Sequence, residues 1–126
     1  MLDLCFKYMN DADLKLNNAD FRCFLNNIIP IKNNPKQCFI YSDPPYISTN
    51  DNYSNSFAEQ DSIDLFDTLQ ETKCKWAMSE FDNPFILNQA KERDLHVHVI
   101  GERQNLKNRR TEILITNYQH HKTLFE

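Results

Sequence analysis

The apolar run Cys38-Phe39-Ile40-Tyr41 leads straight into the paired prolines Pro44-Pro45, and this junction constrains the fold more than any other stretch. Short, apolar and rich in strand-forming types, the run reads as a buried strand. It must stop at the prolines, which have no N–H to donate to a sheet ladder. Asp43 precedes a proline and is therefore held extended at the strand's carboxyl end. In open α/β sheets that edge is where ligands bind. The junction thus gathers a carboxylate (Asp43), a proline carbonyl (Pro44) and an aromatic ring (Tyr46) at a site-forming corner.

That set is suited to a flat, amino-bearing ring. An exocyclic amine on a heteroaromatic base is a poor nucleophile because its lone pair is delocalised. Acceptance of its two hydrogens by Asp43 and the Pro44 carbonyl would favour a more pyramidal nitrogen as charge develops, while Tyr46 stacks on the ring face. A Pro-Pro turn capped by Asp43 accounts for the same four letters, so the choice rests on the surroundings.

Asp43-Pro44-Pro45-Tyr46 matches the signature of DNA adenine N6-methyltransferases, and the chain around it resembles the Dam-type group. Tyr53-Ser54-Asn55-Ser56-Phe57, Lys75-Trp76-Ala77-Met78-Ser79-Glu80-Phe81 and Arg109-Arg110-Thr111-Glu112-Ile113-Leu114-Ile115-Thr116-Asn117-Tyr118 follow in the order that group uses. Upstream, Asp20-Phe21 resembles the pair that precedes the signature strand there. The resemblance implies an S-adenosylmethionine-dependent enzyme acting on DNA, of the kind found in restriction-modification. It assigns Asp43, Pro44, Pro45 and Tyr46 to catalysis and Asp20, Phe21 and Asp43 to the cofactor. Tyr53 and Phe57 then fall near the flipped base. For Asp20 and Phe21, a helix cap and a core residue remain the competing reading.

Composition bears on what else is needed. Among 126 residues there is a single glycine, Gly101. A cofactor pocket built on a Gly-rich turn needs glycines just after a strand, where the backbone approaches the ligand. In the Dam-type group the glycine motif and a DNA-recognition segment lie towards the amino terminus. Residues 1–126 are therefore expected to be a single partial methyltransferase domain resembling the carboxyl-terminal part. A catalytically inactive remnant or interaction module that keeps the fold stays open as the alternative. The net charge of -4 means that any DNA contact rests on a local patch. No apolar run has the length of a membrane span and the start lacks a basic opening, so a cytoplasmic location and no membrane contact are expected. Cys5, Cys23, Cys38 and Cys74 lack zinc spacing and are expected to be packed, reduced thiols.

Along the chain, Asp20 is placed to cap a helix through Phe21, Phe24, Leu25 and Ile28, and Asp61 a second through Ile63, Leu65, Phe66 and Leu69. Residues 47–56 are polar and without apolar period, a loop beside the site that reads equally as a lid. Cys74 to Phe81 reads as a buried strand; the resemblance puts a serine near the site at the end of the matching strand, and Ser79, with no partner spacing for a nucleophile, reads as a core residue or one just behind the site. Asn83-Pro84 opens another helix. Leu95 to Ile100 alternates as a strand with His96 and His98 on one face, and no metal is expected there. Before the last strand, Thr111 to Asn117, comes the chain's concentrated basic stretch with Arg103, Lys107, Arg109 and Arg110, which reads as a hairpin contacting phosphates or as a solvated loop. The resemblance favours phosphates. The fold expected is α/β: the second half of a Rossmann-like methyltransferase sheet, mixed by a terminal antiparallel strand hairpin, with helices on the faces. The outer edge of the signature strand is expected to take an amino-terminal partner polypeptide or a second copy of the chain.

Overall fold

The computed structural model describes residues 14–27, 34–47, 57–104 and 109–119. Three α-helices and four strands follow one another along them, with a short 3-10 turn (Pro35–Gln37) before the first strand: α1 (Phe21–Asn27), β1 (Phe39–Ser42), α2 (Glu59–Glu71), β2 (Lys75–Phe81), α3 (Pro84–Glu92), β3 (His96–Gln104) and β4 (Arg109–Thr116). The strands form one mixed sheet in the order β1-β2-β4-β3. β1 and β2 run parallel, joined through α2, whereas β4 is antiparallel to both of its neighbours. This is the α/β arrangement with a closing antiparallel hairpin that the order of apolar runs implies.

Local chemistry sets the helix ends. Asp20 caps α1 by accepting from the Arg22 N–H at 2.9 Å. Asn83 accepts from the Phe85 N–H at 2.8 Å, and Pro84 occupies a first-turn position where a missing donor costs nothing. α2 departs from the expected start at Asp61. It begins at Glu59, and Asp61 lies inside the first turn, accepting from the Ala58 N–H at 2.9 Å. With one glycine in the chain, the left-handed turns after α2 and α3 fall to Lys73 (φ 62°) and Asp94 (φ 55°).

The core lies against one face of the sheet. Register places Met78 beside Ile115 and Glu80 beside Ile113, and alternation adds Trp76 to that face. Trp76, Met78, Ile113 and Ile115 are fully buried with Leu25 of α1, Leu65, Phe66 and Leu69 of α2, and Ile86 and Ala90 of α3. The Asn117 side chain continues the β2–β4 ladder by accepting from the Trp76 N–H at 2.8 Å and donating to the Cys74 carbonyl at 2.9 Å. β1 corrects one expectation: it is not buried. Phe39 is 56% and Tyr41 60% exposed, because β1 is an edge strand and both lie on the face away from the core. Cys23, Cys38 and Cys74 are free thiols, the last buried; Cys5 lies outside the described residues.

Candidate active site

β1 ends where the sequence places the corner. Its parallel register with β2 pairs Tyr41 with Ala77 and Ser42 with Met78. One further step along both strands brings Asp43 opposite Ser79, and the Ser79 hydroxyl donates to Asp43 Oδ1 at 2.7 Å. Ser79 is buried and Asp43 exposed, so a fixed hydroxyl on the central strand orients a carboxylate at the open edge. Among the described residues, the second oxygen of Asp43 has no partner. Hydrogen bonds to a charged acceptor are worth about 1.5–3 kcal/mol, enough to select one carboxylate orientation. Of the two readings open for Ser79, core residue or one just behind the site, the bond to Asp43 selects the second.

Asp43 opens onto a cleft of ≈ 580 Å³ bounded by α1, the start of α2 and the carboxyl end of β1. Asp20, Phe21, Asp43, Pro44, Pro45 and Phe57 all line it. Its size falls in the range of small-molecule sites. Phe21 contacts Phe57 at 6.0 Å between ring centroids and carries the Arg22 guanidinium 4.3 Å from its own. Arg22 is neutralised by Asp20, Asp61 and Asp64, at 3.2, 2.7 and 2.8 Å. This network ties α1 to α2. It raises the Arg22 pKa, mainly through Asp61 and then Asp64; Asp61 is held below the usual carboxylate range by the Ala58 N–H first and Arg22 second, and Asp64 by Arg22 and then Gln60. The cleft thus sets the aromatic surface of Phe21 and Phe57 beside Asp43, which has no ion-pair partner among the described residues, and beside the neutralised Arg22 cluster.

Tyr46 stands on the other side of the corner. Its ring meets Phe81 edge-on, with centroids 4.4 Å apart, and the Arg110 guanidinium lies 5.2 Å from the centroid of the same Phe81. Burial pushes the Tyr46 phenol up, the Asp43, Glu112 and Glu80 carboxylates add to this, and Ser79 acts the other way. Tyr46 is therefore a neutral phenol at physiological pH. Beside Ser79, Glu80 is buried at 1% exposure, with Oε1 unpartnered among the described residues. Burial pushes its carboxyl up to about 8, the Phe81 N–H opposes this, and Asp43 adds to it.

The structure thus brings Asp20, Phe21, Phe57, Asp43, Pro44 and Pro45 together, with Tyr46 and Arg110 joined through Phe81 on the opposite side. Phe57 lies with Phe21 rather than Tyr46. Tyr53 and Lys107 lie outside the described residues, and Arg103 and Arg109 enter as paired strand positions, Arg103 opposite Arg110 and Gln104 opposite Arg109. Sequence reasoning passed over Arg22, Glu80 and Phe81. An acidic residue inside the apolar run 74–81 was the one available signal, for Glu80.

Among the described residues, no helix is long and apolar enough to cross a membrane, and no cluster of His, Cys, Asp and Glu is arranged to hold a metal ion. No curated protein matches the chain closely enough to count as a relative. A family model does match: that of the D12 class N6 adenine-specific DNA methyltransferases aligns with residues 7–113, and the chain belongs to this family.

Proposed function

We propose that this chain forms the amine-orienting part of an adenine-specific DNA methyltransferase site, which transfers a methyl group from S-adenosylmethionine to N6 of an adenine turned out of the duplex. The observation that carries the reading is the Asp43 carboxylate, held by Ser79 at 2.7 Å on the wall of the cleft that Asp20 and Phe21 also line.

In this reading Asp43 and the Pro44 carbonyl accept the two hydrogens of the amine. The lone pair is thereby drawn out of the ring as the nitrogen becomes pyramidal, and no covalent enzyme intermediate is needed. Pro45 locks the backbone that presents the Pro44 carbonyl. Tyr46 stacks on the base, its own plane set by Phe81. Phe21 and Asp20 hold the methyl donor, with Asp43 close to its positive charge. S-adenosylmethionine, when bound, supplies an electrophilic methyl on a sulfonium.

Arg103, Lys107 and Arg109 are the proposed phosphate-facing residues of the β3–β4 hairpin, with Arg110 set apart from them over the Phe81 ring, while Tyr53 and Phe57 are proposed to contact DNA near the base. None of the residues lining the cleft is a glycine, and the outer edge of β1 has no strand beside it among the described residues. These observations support an incomplete or split enzyme, in which a further polypeptide or a second copy of the chain completes the pocket across that edge. The identity of the product tests the reaction. Adenine-containing DNA incubated with labelled S-adenosylmethionine and the protein together with the polypeptide that completes its pocket should yield labelled N6-methyladenine on hydrolysis to nucleosides; label in cytosine, or none from that complete assembly, would contradict the reading.

A further inference from the structure

Beyond Tyr46, and separate from the main cleft, a small cavity of ≈ 180 Å³ is lined by Ile47, Phe81, Asp82, Asn83, Pro84 and Arg110. We infer that this cavity is a nucleobase subsite, taking a base that flanks the target adenine and reading its edge with Arg110 and Asp82. The inference rests on the proposed methyltransferase reading and adds a determinant of sequence choice to it.

The arginines carry the first part of the argument. Arg22 is saturated by three aspartates and Arg93 pairs with Asp67 at 2.6 Å. Arg110, half-buried over the Phe81 ring, has no ion-pair partner among the described residues. In a chain of net charge -4, a guanidinium held on an aromatic shelf without an acid keeps its donors for something else. Asp82 lines the same cavity, equally without an ion pair among the described residues, and its backbone is fixed by donation to the Thr111 carbonyl at 3.1 Å.

Two unpaired opposite charges on one small cavity decide the occupant. A phosphate would gain Arg110 and meet repulsion from Asp82. A base edge carries both acceptors and donors and can satisfy both groups, while its faces find Phe81, Pro84 and Ile47. The volume suits one heteroaromatic ring system rather than a whole nucleotide. Phe81 fixes the location, since it touches both Arg110 and Tyr46: a base here is a near neighbour of the one stacked on Tyr46.

The test is selection by binding from duplexes with one central adenine and randomised flanks, using wild type, Arg110→Gln and Asp82→Asn. Salt dependence is measured on the selected sequence. Wild type should prefer one base, roughly tenfold, at a position next to the adenine. Both variants should lose that preference, keep the preference for adenine, and show an unchanged salt slope. A wild type that selects adenine with no flanking preference, or variants that retain the preference, would overturn the subsite. A salt slope reduced by about one in Arg110→Gln would make Arg110 a phosphate contact and overturn it as well. Failure to select adenine at all would instead contradict the methyltransferase reading on which it stands.

Discussion

β1 and β2 run parallel, adjacent and apolar, yet they do different things. β2 is a central strand with Trp76, Ala77, Met78, Ser79 and Glu80 all buried, whereas β1 exposes Phe39 and Tyr41. The site lies where they meet: the open strand carries Asp43 and the prolines, and the buried strand supplies Ser79 to hold Asp43 and Phe81 to hold Tyr46. The pair teaches a division of labour. Reactive groups need access, which an edge gives, and fixed geometry, which only a packed neighbour gives.

The largest expected effect is on the buried partner. Trp76→Ala removes the largest fully buried side chain and should lower unfolding free energy by about 3–5 kcal/mol. Tyr41→Ala, on the exposed face, should change it by less than about 0.5 kcal/mol. Denaturant unfolding measures both, and equal losses would break the contrast between the strands.

Glu80 should give the next largest effect. Its folded carboxyl titrates at about 8 against an ordinary value of 4.5, so the folded state holds a proton that the unfolded chain releases between these pH values. Stability from this group is complete below pH 4.5 and is lost as pH rises to about 8. Glu80→Gln should remove that dependence and stabilise the protein at pH 9 by on the order of a few kcal/mol. Unfolding curves from pH 5 to 9 decide it; a wild type whose stability is flat across that range would refute the buried acid.

A smaller effect probes the link between the strands. Ser79→Ala should reduce methyl transfer roughly tenfold to a hundredfold, the rate equivalent of one charge-assisted hydrogen bond, while Ser79→Thr restores part of it. Transfer unchanged in Ser79→Ala would detach β2 from the site. Away from the site, Lys73→Gly should stabilise by about 1 kcal/mol, because it relieves a left-handed residue in the turn between α2 and β2. A loss of stability would show that the Lys73 side chain contributes more than its backbone costs.

Much of this was legible in the sequence, for identifiable reasons. Proline pairs cannot continue a ladder, so the end of β1 and the place of Asp43 follow from Pro44-Pro45 alone. Asn83-Pro84 announces α3 by the same local logic, and the short basic connection forces β3 and β4 to be antiparallel. The exposure of β1 was not legible, because an apolar run looks the same at an edge as in the centre until its neighbours are known. Nor was the Arg22 network, whose partners Asp61 and Asp64 are 39 and 42 residues away. Asp61 was read as a cap on local pattern, and its wider role comes from the packing of α2 against α1. The Ser79–Asp43 contact depends on parallel register, which pairs residues 36 apart and which single-strand patterns do not encode.

The central claim is that the Asp43 carboxylate, fixed by Ser79, orients the amine that is methylated. The most direct measurement is transfer of labelled methyl from S-adenosylmethionine to adenine-containing DNA by the protein purified with whatever polypeptide accompanies it, comparing wild type with Asp43→Ala. The account predicts transfer by wild type, and in Asp43→Ala its loss with the fold retained, since the exposed Asp43 lies outside the hydrophobic core and its bond is to the single hydroxyl of Ser79. Equal transfer by the two proteins, or loss of transfer accompanied by loss of folding, would contradict it.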